Sequence, residues 1–586
     1  MPYPQLDPGP GAMSRAPAVL LRLAFALLGL FSLIAGYVGL AACVDQGHCG
    51  EVSSHPLDIL YYDLQLFVLG SPPLDDGGPF PTALQIARFT APMFTAYALV
   101  EAARALFSAE LRRWRTRRSR DHVIVCGDGM VTSTLVRRLR AGGQRVVVVP
   151  TEAVASEPPA RALADANPRR LTGTPPDPEA LRAAGIAHAR VLYACTGDSA
   201  TNTAIALAAA RAVRETPLTV YAKVDDPEFG LALQARAMGS AGPGRTQLTF
   251  FNIDDLAARR LLEEQPPSPG RDGSPLMVVL GATNFGQAVL VELARRWLRS
   301  GTQDADPLRV ALVDDAAIAV AADLAYRYPF LAQSCRIKPY GGLPELLADD
   351  GFPLPPDRVY ICYDDDERSL KTALITEQIW RLAAGGIVVR LERLASLGEV
   401  FGHGHDFLLD GLSGTVRPYG VVHAACDPRL IREDLIERLG RSIHQNYVFA
   451  CRREGETRET NALLVPWEDL PPAVREANRA QARDIGPKLA RLGCVLYPRL
   501  GPGQEYVLAE DEVELLASWE HERWLADRVA TGWRYAETRD EARRLHPGVR
   551  AWSDLSPDMR DRNYAIRELP EILADAGFRI VRVRPS

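Results

Sequence analysis

The sequence predicts an α/β protein with two doubly wound parallel sheets in tandem, two N-terminal membrane helices and a mostly helical C-terminal region. Short apolar strands alternate with helices over residues 121–420, a pattern typical of parallel sheets. Two long apolar segments precede them, and a repeated pattern of Trp and His follows. The 586 residues are enough for about four domains. A composition of 47% hydrophobic and 24% charged residues indicates folded globular material.

Net charge and cysteine spacing argue against nucleic acid and structural zinc as ligands. The net charge of −6 is small for a chain of this size and argues against binding to nucleic acid. The nine cysteines are scattered without a CxxC motif, so a structural zinc site is not expected. No GxSxG, HExxH or Walker lysine loop occurs, which makes an enzyme the weaker class of function.

The membrane domain is predicted over residues 17–108, after an N-terminal tail of residues 1–16. Residues 23–44 are uncharged and long enough to cross a bilayer core of about 30 Å. A cleaved signal peptide is the alternative, although its apolar core is normally shorter and a second apolar segment follows here.

The second segment, residues 82–107, is less apolar than the first. Three charged residues interrupt it: Arg88, Glu101 and Arg104. A soluble amphipathic helix is therefore an open alternative, although ionisable groups within a span usually face a bundle interior or a water-filled path.

Loop charges predict the orientation of the two spans. Residues 45–81 carry acidic residues and no Lys or Arg, which places this loop outside the inner membrane and both termini in the cytoplasm. The linker at residues 109–120 is rich in arginine, as expected on the cytoplasmic side. Cys43 and Cys49 lie at the outer edge, where a disulfide could persist. Two free thiols are an equally good interpretation.

Within the outer loop, residues 58–70 (DILYYDLQLFVLG) are apolar but too short to span. Their length suits a re-entrant or interfacial helix. Two spans with a short helix between them, followed by a regulatory domain, resemble the subunit of two-helix, ligand-gated potassium channels. That family has a TVGYG-type selectivity filter, whereas residues 67–73 read FVLGSPP. Two spans cannot enclose a pore alone, so a homodimer or homotetramer is expected.

The first nucleotide-fold unit is predicted over residues 121–265. Glycines after its first strand allow a tight turn that brings amide groups against a pyrophosphate at a helix N-terminus. The GDG, LRAAGI, TGDxxxN and AKVDDP motifs together resemble the regulator-of-conductance domain of the TrkA-N type, which has a Rossmann-like fold. The resemblance implies a nucleotide, NAD or an adenine nucleotide, in a cleft lined by Gly127, Asp128, Gly129, Glu152, Thr196, Gly197, Asp198 and Asn202.

A linker at residues 266–274 leads to a second such unit, residues 275–420. Thr283 replaces the middle glycine of its turn, where a close approach to pyrophosphate needs no side chain. The candidate binding residues are Gly281, Gly286 and Asp314, although a purely structural turn is favoured. An acidic cluster at residues 364–366 could hold a cation through carboxylate oxygens, or could simply begin a solvated helix.

An internal repeat occupies the C-terminal region, with copies at residues 421–500 and 501–586. His444, Tyr447 and Trp467 of the first copy match His521, Trp524 and Trp552 of the second. The second copy, with HERW, GWRY and HP motifs, resembles the RyR domain of ryanodine receptors and bacterial proteins, which implies an adenine-nucleotide-like ligand. Aromatic, histidine and arginine side chains could form a stacking box and an anion contact there: His521, Trp524, Trp533, Arg534, Tyr535 and His546. A helical core is the alternative.

Together these features predict a membrane-bound, ligand-gated channel or effector. Its expected partners are the lipid bilayer, a small nucleotide-like ligand and further copies of the chain. Two alternatives remain open. One is a non-conducting, membrane-anchored nucleotide receptor, and the other is a nucleotide-triggered effector of antiviral defence that disrupts the membrane.

Overall fold

The computed structural model describes residues 16–47, 49, 53–68, 70, 79–117, 119–151, 169–170, 176–212, 216–239, 246–266, 275–299, 307–352, 355–380, 383, 386–392, 416–432, 435–453, 455–459, 461–500, 504–538, 540, 543–561 and 566–583. The chain divides into two compact units, Met1–Arg115 and Thr116–Ser586, and each is described by itself.

In the described residues of the first unit there are three helices: α1 (Ala16–Asp45), α2 (Pro56–Leu66) and α3 (Thr82–Arg117). In the described part of the chain, one segment, Leu23–Asp45 of α1, has the length and apolarity needed to cross a membrane. The second predicted span does form a continuous helix, but α3 is more polar and carries Arg88 and Glu101. Length and composition therefore support one candidate span where the sequence predicted two.

Glycines of α1 allow the three helices to approach closely. A Cβ atom at Gly39 would lie 2.5 Å from the backbone nitrogen of Leu84, and one at Gly29 would lie 2.8 Å from the ring of Phe94. Small residues at such positions permit close backbone contact between helices. Cys43, in the last turn of α1, and Cys49, beyond its end, form a disulfide with a Cα–Cα distance of 5.5 Å. Of the two interpretations left open by the sequence, the structure therefore has the bonded one.

The second unit begins with a six-stranded parallel sheet in the order β3-β2-β1-β4-β5-β6. Its central strands are short apolar runs, as expected for a parallel sheet with helices on both faces. The strands are β1 (Val123–Cys126), β2 (Val146–Val149), β3 (Arg169–Arg170), β4 (Val191–Ala194), β5 (Leu218–Lys223) and β6 (Thr246–Phe251). The helices are α4 (Met130–Ala141), α5 (Pro178–Ala183), α6 (Ser199–Arg211), α7 (Pro227–Gly239) and α8 (Ile253–Glu264).

A second parallel sheet follows in the order β12-β11-β10-β7-β8-β9. Its strands are β7 (Leu276–Leu280), β8 (Leu308–Val313), β9 (Cys335–Tyr340), β10 (Arg358–Ile361), β11 (Ile387–Arg390) and β12 (Val416–Tyr419). Its helices are α9 (Asn284–Arg299), α10 (Ala317–Arg327), α11 (Leu331–Ser334), α12 (Leu343–Leu347), α13 (Asp366–Trp380), α14 (Val421–Ala425) and α15 (Pro428–Arg432). The two sheets confirm the predicted Rossmann-like tandem.

The two sheets share one hydrophobic core through α8 and α9. The side chain of Asn252 accepts a hydrogen bond from the amide of Asp255 and so caps the start of α8. Leu256 and Leu261 of α8 then pack in the same cluster as Val289 and Leu293 of α9. Because both helices are buried on this side, the sheets form one continuous body.

The C-terminal region is rich in helices, as predicted. It contains α16 (Leu435–Arg453), α17 (Pro472–Arg491), β13 (Cys494–Pro498), α18 (Glu510–Ala530), β14 (Arg534–Tyr535), β15 (Leu545–His546), α19 (Pro557–Asp561), α20 (Leu569–Asp575) and β16 (Phe578–Arg582). Strands β13 and β16 pair in antiparallel fashion. The core of this region also includes Ala235 and Met238 of α7, so the region packs directly against a helix of the first sheet.

Candidate functional site

The first candidate site lies at the carboxyl ends of β1 and β4. Gly127 follows β1 with a φ of +133°, and a Cβ atom there would lie 2.6 Å from the carbonyl oxygen of Cys195. Only glycine fits this left-handed, crowded position. The hydroxyl of Thr132 donates to the same carbonyl at 3.1 Å, which fixes the start of α4 against the end of β4.

The turn at the start of α4 is open. Gly129 is its N-cap residue, no side chain caps the helix, and a Cβ atom at Gly129 would meet nothing within 4 Å. The amide groups at the N-terminus of a helix attract anions, and the helix dipole adds to that attraction. The predicted pyrophosphate position is therefore available at this turn.

The flanking acidic positions are only partly described. Asp128 accepts a hydrogen bond from the hydroxyl of Thr151 at 3.1 Å, which ties the turn to the end of β2. Glu152, which the resemblance also places in the lining of the cleft, lies outside the described residues.

At the end of β4, the predicted residues form a hydrogen-bonded loop. Asn202 is fully buried, and its side chain binds the backbone amide and the hydroxyl of Thr196 and the carbonyl of Lys223. Asp198 caps α6, and hydrogen bonds from the hydroxyl and amide of Thr201 lower the pKa of its carboxyl. Both side chains thus shape the loop, whereas Gly197 faces open space.

Lys223 is a site residue that the sequence analysis did not single out. It ends β5, its side chain is 9% exposed, and its Nζ lies 2.5 Å from a carboxylate oxygen of Asp225. A lysine at the end of an otherwise apolar buried strand is the signal that could have identified it. It brings an ion pair with Asp225 to the carboxyl edge at which β4 also ends.

The second nucleotide-fold unit, residues 275–420, differs from the first because its own side chains cover the turn at Gly281. Gly281 has a φ of +100°, and a Cβ atom there would lie 2.9 Å from the ring of Tyr363. The guanidinium of Arg368 lies 3.9 Å from the centre of that ring. The hydroxyl of Thr283 donates to the carbonyl of Cys362 at 2.5 Å and accepts from the amide of Gly286 at 3.3 Å. Donors that could face an anion are therefore bonded within the turn.

The acidic side chains predicted as ligand contacts in the second nucleotide-fold unit already have partners within the protein. Asp314 accepts from the amide of Ala316 at 3.0 Å. In the predicted acidic cluster, Asp364 pairs with Arg390, and Asp365 accepts from the amide of Arg368 at 2.6 Å. Among the described residues, no group of three or more His, Cys, Asp or Glu is placed to hold a metal ion.

The two copies of the C-terminal repeat place matching side chains in matching contacts. His444 Nε2 lies 2.8 Å from the carbonyl of Val465, and His521 Nε2 lies 2.8 Å from that of Arg550. In each copy a Trp indole also donates to a glutamate, namely Trp467 to Glu437 and Trp552 to Glu514. The carbonyl contacts assign the Nε2 proton of both histidines.

A cavity of about 360 Å³ lies between these two copies. Of the six residues predicted in the second copy, His521, Trp524 and His546 line it. The other three lie outside its lining. The ring of Trp533 is covered by the guanidinium of Arg528 at 4.6 Å, that of Tyr535 is covered by Arg550 at 4.0 Å, and Arg534 is exposed on β14.

The cavity wall carries charged and amide side chains that the sequence analysis missed. Lys488 is 2% exposed and pairs with Glu520 and, at 3.1 Å, with Asp484. Glu520 also binds Arg523 at 2.6 Å. Three bases (Lys488, Arg523 and Arg528) and one acid (Glu520) line the cavity, a net charge of +2 with neutral histidines. Such a wall favours an anionic ligand.

Comparisons with known proteins agree with two of the resemblances. Residues 123–240 match the family model of the TrkA-N domain, and residues 508–582 match that of the RyR domain. These matches cover most of the first sheet and the second copy of the repeat. No curated protein matches the chain.

Solved structures of one channel are similar to the chain. The GsuK channel is 18% identical, with 71% of this chain and 98% of that chain covered and a TM-score of 0.36. The GsuK channel bound to NAD is 16% identical, with 71% and 84% covered and a TM-score of 0.36. GsuK bound to ADP is 16% identical, with 71% and 98% covered and a TM-score of 0.32.

Proposed function

We propose that this protein is a membrane-bound, ligand-gated channel or effector. Its TrkA-N-type and RyR-type domains bind a nucleotide-like ligand, NAD or an adenine nucleotide, and regulate the membrane part. The observation that carries the proposal is the open, uncapped turn at Gly127 and Gly129, within residues that match the TrkA-N model. The amide groups at this helix start, which no side chain caps, suit a phosphate group.

Helix α7 offers a route between the two candidate sites. The hydroxyl of Ser199, at the start of α6, hydrogen-bonds to both the carboxylate and the amide of Asp225, just before α7. At its other end, Met238 packs in the same core as Ile485 of α17, which lines the cavity. A ligand at either site therefore contacts elements that touch α7. Coupling between such sites is typically about 1–3 kcal/mol.

The membrane part is proposed to have two spans, α1 and α3, with α2 between them as a re-entrant or interfacial helix. In this arrangement both termini lie in the cytoplasm and the disulfide of Cys43 faces the outside, where disulfides persist. Arg88 and Glu101 of α3 then face a bundle interior or a water-filled path. Since two spans cannot enclose a pore, the active form is a homodimer or homotetramer.

A non-conducting receptor is the second candidate. The segment FVLGSPP at residues 67–73 favours it, because its sequence does not match the TVGYG-type filter, whose carbonyl groups replace the hydration shell of the ion. In that case α1 and α3 only anchor the chain and bring copies together.

Ion flux through liposomes that contain the full chain tests the proposal. We expect flux to change when NAD or ADP is added, and the response to disappear in Gly129→Asp. Ligand binding without flux would support the receptor, and leakage of a large dye would support the membrane-disrupting effector. Absence of any binding of either nucleotide would reject the proposed function.

A further inference from the structure

The cavity in the C-terminal region is built by both copies of the repeat. Tyr447 and Gln481 of α16 and α17 lie in its wall, as do Trp524 and Arg528 of α18. We propose that it binds one anionic, ring-bearing molecule of mononucleotide size, and that the first copy supplies half of the contacts. This inference rests on the proposed function and identifies the ligand class of the second site.

Volume is the first argument. Ligand sites usually enclose about 300–1,000 Å³, and this cavity of about 360 Å³ is at the lower end of that range. A single nucleotide suits this size. A dinucleotide such as NAD joins two nucleotides and exceeds it, so the cavity and the cleft at Gly129 select different ligands.

Charge is the second argument. An aromatic cavity can also bind a cation over its ring faces, but the net charge of +2 on this wall opposes a cation. Lys488 and Arg523 share the carboxylate of Glu520, and Lys488 also pairs with Asp484, which lies outside the lining. With Asp484 counted, the three bases still outnumber the acids by one, so an incoming phosphate oxygen finds more positive charge than these carboxylates neutralise.

The third argument is the distribution of side chains between the two copies: both supply a pair of rings, and the first copy supplies the side-chain amides. In the first copy, the ring of His444 lies 6.3 Å from that of Tyr447 at 27°, and in the second the ring of His521 lies 5.7 Å from that of Trp524 at 29°. Only the first copy adds side-chain amides from α17. Asn478 bonds to the carbonyl of Val474 through its Nδ2, so its Oδ1 remains as an acceptor, and Gln481 lies one turn further on.

Calorimetric titration of the full chain with AMP and with NAD tests this division. We expect AMP to bind in the cavity with an affinity that Gly129→Asp does not change. Gln481→Leu and Arg528→Gln should each lower that affinity. Loss of one hydrogen bond or one charged contact should reduce affinity by roughly three- to tenfold. Gln445→Leu and Arg543→Gln are matched controls at exposed positions outside the lining and should not change it.

Three results would overturn the inference. If Arg528→Gln weakens AMP but Gln481→Leu does not, the second copy alone holds the ligand. If Gly129→Asp removes every binding event, the cavity is not a nucleotide site, while the function proposed for the cleft survives. If NAD binds at an event that Gln481→Leu weakens, the size argument is wrong.

Discussion

The carboxyl group of Asp63 lies directly against the backbone of Gly36. A Cβ atom at Gly36 would be only 1.9 Å from Oδ1 of Asp63, and Asp63 is fully buried. Neither of its carboxyl oxygens has a hydrogen-bond partner in the part of the chain that the structure describes. This contact joins α2 to α1, and its fit depends on the missing side chain of glycine.

Gly36→Ala should therefore lower the stability of the first unit. The added methyl group forces α2 away from α1, and overpacking of this kind costs about 1–3 kcal/mol. Thermal unfolding of the full chain in detergent measures the loss. Asp63→Ala in the same chain should restore part of it, because the two changes share one contact. Gly70→Ala, where a Cβ atom meets nothing within 4 Å, is the control.

Gly129→Asp should abolish nucleotide binding to the first sheet. A carboxylate at the open turn occupies the pyrophosphate position and repels phosphate. Gly129→Ala is the matched variant, since the space there accepts a methyl group, and it should bind almost normally. Calorimetry with NAD and ADP distinguishes the two. Unchanged affinity in Gly129→Asp would place the ligand elsewhere.

Asp314→Asn should leave nucleotide affinity unchanged. Its carboxylate already accepts the amide of Ala316, and the ring of Tyr363 covers the turn at Gly281. The same titrations measure this variant beside Gly129→Asp. A binding event that disappears only in Asp314→Asn would show that the second sheet also takes a ligand.

Trp533→Ala should reduce stability more than affinity. Its ring packs under Arg528 and meets His546 edge-on at 6.3 Å, and it does not line the cavity. Trp524→Ala, in the cavity wall, should instead weaken AMP binding by roughly 1–3 kcal/mol. Paired melting and titration curves separate the two effects. Lower AMP affinity in Trp533→Ala, with an unchanged melting temperature, would show that Trp533 contacts the ligand.

Asp254 should make stability depend on pH. Burial raises the pKa of its carboxyl from 3.8 to about 6, although Arg390 opposes the shift. The native state then holds more protons than the unfolded chain between these values. The stabilising contribution is complete below about pH 4 and is lost as the pH rises through about 6.

Asp254→Asn removes this titration. The free energy of unfolding of the variant should fall less than that of the wild type between about pH 4 and pH 7, by at most about 3 kcal/mol. Denaturant unfolding at several pH values measures the difference. Asp350→Asn, at an exposed position, is the control. Parallel curves for the wild type and Asp254→Asn would contradict the prediction.

Local sequence predicted the sheets well because buried parallel strands are uniformly apolar and end at glycine or acidic residues. The valine run at β2 and the turn at Gly127 are examples. The cover over Gly281 was not predictable, because Tyr363 comes from a strand end some eighty residues further along the chain. Such contacts depend on the packed fold and leave no local pattern.

In the repeat, the histidines and tryptophans identified the region but not which rings face the cavity. Trp533 is one example. Arg528 covers its ring and also lies beside Trp524, and only Trp524 lines the cavity. The contribution of the first copy was missed because Gln481 and Lys488 belong to no recognisable motif. Their role appears only when α17 and α18 are brought together.

The tyrosine ring over the second sheet also limits how sharply the protein can respond to concentration. If the first sheet alone accepts NAD, which is too large for the C-terminal cavity, a dimer presents two such clefts and a tetramer presents four. The Hill coefficient for that ligand then cannot exceed the number of subunits. A steeper dose–response curve would have to come from larger assemblies.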